Sequence, residues 1–259
     1  MSDSIAKWAR ALALVAALAG TPFLHAQTPP EAEGVMVVPI AAHTASYGTE
    51  VYIRNGYFEP LFVDVVFFEA NNSSVPGQRP CAPLWIPARS THTFTLDAQC
   101  TLGPGSHFGM LILSNGHQYF TAHSRTQTPT GVGLAVEGVP YDSFSAAPAF
   151  VEGLKRTATG AKYLSNCFVG SLYAAVDYRI DVLDADDVPI GSPIEGSLDA
   201  YQIVRYLDIL DAAGAPAGDY ADVRVKFTET GAGSPWFVGF CTMQESVTFG
   251  ADFRIAKRP

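Results

Sequence analysis

Apolar and polar positions alternate with a period of two over two stretches far apart in the chain. In residues 61–68, Leu61, Val63, Val65 and Phe67 hold one parity, and Phe62, Asp64, Val66 and Phe68 the other. Residues 176–183 repeat the pattern, with Val176, Tyr178, Ile180 and Val182 facing Asp177, Arg179 and Asp181. A period of two is that of a β-strand with one face in a core. Each run ends in a polar cluster, Asn71-Asn72 in the first and Asp184-Ala185-Asp186-Asp187 in the second, which suits a tight turn. Later elements follow in the same order after both runs, so the chain reads as a low-identity internal repeat. In that alignment Met110 and Ile112 correspond to Val223 and Val225, Tyr52 to Cys167, and His123 to Cys241.

Strands are predicted over 35–40, 49–54, 61–69, 82–86, 91–96, 107–113, 118–124 and 132–137. Beyond the midpoint they are predicted over 163–171, 175–183, 189–195, 201–206, 220–228, 236–242 and 247–254. Turn chemistry separates them at Asn55-Gly56, Pro76-Gly77, Gly103-Pro104-Gly105 and Asn115-Gly116. Breaks every eight to twelve residues are the rhythm of a sandwich. One helical turn is expected over 207–213 and no other helix beyond the N-terminus. The fold class read here is all-β, as two tandem immunoglobulin-like antiparallel β-sandwiches spanning 35–143 and 144–259.

The two runs differ in one respect. Polar residues separate the apolar ones in 178–182, whereas 61–68 is apolar on both faces apart from Asp64. Phe62, Val66 and Phe68 therefore need a cover, which is either the neighbouring half or a binding partner. These three form the candidate interaction face.

The N-terminus changes the compartment. Lys7 and Arg10 precede an uninterrupted small-apolar run over 11–20, and a small residue, Ala26, stands before Gln27. This reads as a secretory signal over 1–26 followed by a leader over 27–34, with an apolar stretch about half the roughly twenty residues needed to span a bilayer. No transmembrane segment is expected in the mature chain. The expected destination is the periplasm or the extracellular space.

The chain carries 25 acids against 16 bases, a net charge of −9. Losing the first 26 residues removes one acid and two bases and deepens the excess. Nucleic acid is excluded as a partner, because phosphate binding needs clustered cations. An oxidising compartment permits disulfides, and four cysteines allow three pairings. Cys81 with Cys100 and Cys167 with Cys241 keep each bridge inside one proposed domain. Loops of about 20 and about 75 residues stabilise by roughly 3 and 4.5 kcal/mol on the chain-entropy account.

Residues 151–154, 176–187, 219–225, 236–242 and 248–255 together resemble the tandem β-sandwich repeats of exported bacterial proteins. There a strand ending in a D-A-D-type turn precedes a hairpin and a closing apolar strand. The resemblance spans nearly all of the mature chain and implies an immunoglobulin-like fold and an exported location. It implies no catalytic residue, and the four cysteines depart from it.

Candidate chemistry is sparse. His43, His92, His107, His117 and His123 all lie in the first half, with no Gly-x-Ser-x-Gly elbow. His117 and His123 are about 20 Å apart along one strand, too far to share a metal. Asp184, Asp186 and Asp187 lack the spacing of a calcium loop and suit a self-bonded turn. Asn71 to Ser74 holds formal glycosylation acceptors that read better as a turn. Trp85, Trp236, Tyr57, Phe58 and Tyr119 are candidate flat rings for a sugar, but Trp85 and Trp236 lie in strand-like runs and are expected in the core. No cofactor, metal or catalytic residue is expected. The function expected is a non-catalytic scaffold or interaction module with a protein or cell-surface glycan as partner. The alternative is a carbohydrate-binding or adhesin-like protein, and an envelope hydrolase comes third. Exposed aromatics sharing one sheet face favour sugar binding, whereas an apolar patch at Phe62, Val66 and Phe68 favours protein contact.

Overall fold

The computed structural model describes residues 34–70, 77–116, 120–140, 148–157, 162–172, 174–231, 237–246 and 251–257. These lie within one compact unit, Glu31–Pro259. The expected signal over 1–26 and leader up to residue 33, together with Asn71 to Ser74, His117, Tyr119 and Trp236, lie outside the described residues.

The fold is all-β, with antiparallel sheets. In the first half the strands are β1 (Val35–His43), β2 (Gly48–Arg54), β3 (Leu61–Glu69), β4 (Gly77–Pro80), β5 (Leu84–Ile86), β6 (Thr91–Thr95), β7 (His107–Ser114), β8 (Thr121–Gln127), β9 (Gly133–Glu137) and β10 (Val139–Pro140). The second half has β11 (Ala149–Arg156), β12 (Tyr163–Ser171), β13 (Val176–Leu183), β14 (Ile194–Leu198), β15 (Ile203–Tyr206), β16 (Tyr220–Glu229), β17 (Phe237–Glu245) and β18 (Ala251–Ile255). Two short helices follow β6 and β15: α1 (Leu96–Cys100) and α2 (Ile209–Ala212). The second is the expected helical turn. The first was not expected, because five residues are too few to display a helical period.

The halves share most of their strand pairings, but β1 also pairs β2, so the first half is one continuous sheet of ten strands where the second has two sheets of four. In the first, β3 pairs β7 and β7 pairs β1, while β6 pairs β2, β2 pairs β8 and β8 pairs β9. In the second, β13 pairs β16 and β16 pairs β11, while β15 pairs β12, β12 pairs β17 and β17 pairs β18. The finer alignment needs correcting by one residue. Met110 and Ile112 point away from their own half's core, whereas Val223 and Val225 point into theirs. Tyr52 likewise faces outward where Cys167 faces inward. A slip of one position on a strand exchanges its two faces.

Four layers result, with three apolar seams. Val51, Ile53, Val63, Phe67, Leu111 and Phe94 fill the seam inside the first half. Val169, Tyr178, Ile180, Val225, Phe227 and Phe237 fill that inside the second. A third joins the halves, where Val37, Phe68, Met110 and Ile112 meet Phe168, Ile203, Val238 and Phe240. This central seam covers the far end of β3: Phe68 is 3% exposed and stacks on Tyr201 at 4.6 Å between ring centroids. Gln244 Nε2 also donates to the Tyr47 hydroxyl, 3.3 Å across the halves.

Both disulfides, Cys81–Cys100 and Cys167–Cys241, are present. Cys167 and Cys241 stand directly opposite on neighbouring strands β12 and β17, fully buried. The bridge therefore lies within one sheet and does not tie two sheets together. No helix among the described residues is long and apolar enough to cross a membrane.

An exposed aromatic face on the first half

The outer face of β3 passes from cover to solvent along its length. Phe68 is buried, Val66 is partly buried against the central seam, and Asp64 and Phe62 are exposed. The proposed trio of Phe62, Val66 and Phe68 is thus divided. Phe68 and Val66 are occupied by the protein's own second half, so they are withdrawn from the candidate interaction face, and Phe62 alone stays open at 52% exposure.

A residue expected in the core joins it. Trp85 is 62% exposed, because Leu84 and Ile86 take the inward positions of β5 and alternation sends the residue between them outward. The β3–β5 register sets Phe62 directly opposite Trp85. Two residues on along the same face, Asp64 stands opposite Ser114 of β7. The exposed face is therefore a row of two aromatic rings beside a row of a carboxylate and a hydroxyl.

The local chain is firmly held. Cys81–Cys100 ties the segment before β5 to the end of α1, and Ala82 N donates to Gln99 O at 3.2 Å. Gln99 Nε2 in turn donates to Ala82 O. At the adjoining end of the sheet the buried Asn55 organises two loops. Its Nδ2 donates to Glu59 O, Ile86 O and Pro87 O at 2.9–3.2 Å, and its Oδ1 accepts from Tyr57 N at 2.9 Å. Such a self-bonded Asx turn explains Asn before Gly56. On these loops Phe58, 79% exposed, carries the Arg89 guanidinium 3.7 Å above its ring.

Other candidate groups serve the fold. His107 is buried, with Nδ1 2.8 Å from Glu69 Oε2 and Nε2 3.0 Å from Gly103 O. Both ring nitrogens face oxygen acceptors, and Arg79 donates to the other Glu69 oxygen. Neither nitrogen is placed to activate a serine. His123 stacks on Tyr52 at 4.6 Å. Asp184 Oδ1 accepts from Asp186 N and Val188 N at 2.9 Å each, the self-bonded turn expected there. Among the described residues no group of three or more His, Cys, Asp or Glu is placed to hold a metal.

A recess of about 1360 Å³ lies between β9, β11 and β18. Both arginines that line it are in ion pairs: Arg224 with Glu152 at 3.2 Å and with Asp187, and Arg254 with Asp252 at 2.8 Å. Near α2, Arg156 bridges Asp211, Pro216 O and Gly218 O, and lies 3.7 Å from Asp208. Burial, and then the neighbouring Asp211, push the Asp208 carboxyl above its ordinary range, while Arg156 and the Leu210 and Asp211 amides oppose them.

Sequence reasoning assigned Trp85 to the core in preference to a sugar-binding face because Leu84-Trp85-Ile86 is apolar throughout. The flanking Pro83 and Pro87 were the available signal, since prolines mark a short edge strand with an outward face. No protein-family model matches the chain, and no curated protein matches it.

Proposed function

We propose that the protein is an exported, non-catalytic interaction module of the periplasm or cell exterior. In this reading it is built as two tandem immunoglobulin-like sandwiches, the first carrying the recognition surface. The observation that carries the proposal is the pairing of Phe62 and Trp85 at 52% and 62% exposure, directly opposite on β3 and β5. A large aromatic side chain left in water forgoes roughly 1.5–3 kcal/mol of burial, and two adjacent ones on a stapled segment point to a retained purpose. Two disulfides support an oxidising compartment.

Retention on an isolated cell-envelope fraction tests the recognition surface. The protein is expected to sediment with envelope material, and Phe62→Ser with Trp85→Ser to abolish this without lowering the melting temperature. Sedimentation unchanged in that double variant, or none with the unaltered protein, would refute the proposal. Sequencing the N-terminus of protein recovered outside the cytoplasm is expected to begin at Gln27.

A further inference from the structure

We infer that the Phe62–Trp85 face binds a glycan of uncharged hexopyranose units. This rests on the proposed recognition surface and names its ligand.

Three properties of the face select this class. The first is size. Phe62 and Trp85 present on the order of 250 Å² of aromatic surface at their observed exposures. A stable protein interface takes about 800 Å² per partner, so a second copy or a folded protein is poorly served. The second is the blunted edge. β5 is three residues long between Pro83 and Pro87, and Pro80 ends β4, so an added peptide strand finds no ladder to extend. A ligand must therefore use the face.

The third is the arrangement on that face. Aromatic and polar rows lie two strand residues apart, about 6.8 Å, close to the width of one sugar ring. The axial C–H groups of a pyranose carry partial positive charge and settle on the negative face of an aromatic ring. Its rim hydroxyls then reach Asp64, which accepts hydrogen bonds, and Ser114, which donates or accepts. Charge sets the polymer type. Asp64 is the one acidic side chain of the two rows and the whole chain carries an acidic excess, so a uronate or sulfated glycan is repelled.

The same sheet face shows how its rings engage a flat partner, since three positions beyond Phe62 on that parity Phe68 receives the Tyr201 ring at 4.6 Å and 11°. The open face is thus continuous with a surface already closed by ring stacking. The disulfide and the Asn55 bonds fix it in advance, so binding orders little chain.

Affinity electrophoresis tests the assignment in native gels cast with hydroxyethylcellulose, galactomannan, a soluble glucan, polygalacturonate or no polymer. The expected result is retardation by at least one uncharged polymer and none by polygalacturonate. Trp85→Ala and Phe62→Ala should each weaken the apparent Kd at least tenfold, while Trp85→Tyr retains most of it. Leu207→Ser, which alters an exposed apolar residue of the second half, should change nothing. Equal retardation of Trp85→Ala and the unaltered protein, or stronger retardation by polygalacturonate, overturns the glycan assignment. If no uncharged polymer retards the protein while envelope retention still depends on Trp85 and is lost on protease treatment, the ligand class fails and the recognition surface stands. If envelope retention is independent of Trp85, both fail.

Discussion

The two halves share most of their strand pairings and differ in what each does with its outward residues. In the second half the outer face of β13 is polar, where Arg179 binds Asp181 at 2.8 Å and Asp177 accepts from Ser197 at 2.6 Å. In the first half the equivalent face of β3 is largely apolar, and the molecule divides it. One end closes the central seam through Phe68, and the other shows Phe62 to solvent. The bridges differ in the same sense. Cys167 and Cys241 are both fully buried, whereas Cys81 is half-buried and its bridge anchors the excursion that carries Trp85 to the buried Cys100. One scaffold has therefore been stabilised from within in one copy and fitted with an outward surface in the other.

The bridges give the largest effect with which to break this contrast. Replacing Cys167 and Cys241 together by Ala should cost about 4.5 kcal/mol by denaturant unfolding, against about 3 for Cys81 with Cys100. The reverse order would mean that the periphery, and not the second core, is what the bridges chiefly stabilise. Phe68→Ala comes next, at about 3 kcal/mol for a buried ring lost from a seam. Phe62→Ala, on the same strand and face, should stay within about 0.5 kcal/mol. Equal losses at the two positions would mean that Phe62 is covered in solution.

The smallest effect separates the two short helices. Asp97 opens α1 with its carboxyl below the ordinary range: burial pushes it up, but the Thr95 hydroxyl, His43 and local amides outweigh that push. Asp208 precedes α2 with its carboxyl raised. The contribution of Asp97 is thus present above its unfolded pKa and lost as pH falls through the lower folded value. That of Asp208 has the opposite sign, being full below its unfolded pKa and lost as pH rises through the higher folded value. Carboxyl NMR titration should order the two accordingly. Asp208→Asn keeps an acceptor for Leu210 N and should leave neutral-pH stability unchanged or slightly higher.

Strand-scale structure was legible where side chains alternate cleanly. The bounds of β3 and β12 match those expected over 61–69 and 163–171, and the cysteine pairs follow from keeping each loop inside one half. Legibility failed where a run was apolar on both parities. Leu84-Trp85-Ile86 does not say which parity faces inward, and Met110–Leu113 allowed the repeat to be aligned one residue out. The partition of β3 was also hidden, because it depends on how far Tyr201 and Ile203 of the other half reach along it. The short α1 replaced the end of a predicted strand, since Thr95-Leu96-Asp97 suits a strand end and a helix start equally.

The central seam has a further consequence, because it joins unlike surfaces. The β3–β7–β1 layer of one half meets the β12–β17 layer of the other, so the contact is head-to-tail, a kind that can propagate without closing. What forestalls propagation is the chemistry of the two outermost layers. One displays Tyr52, His123 and Arg125, and the other Arg179, Asp181 and Lys226. Like the polar terminal units of repeat arrays, both decline another apolar neighbour.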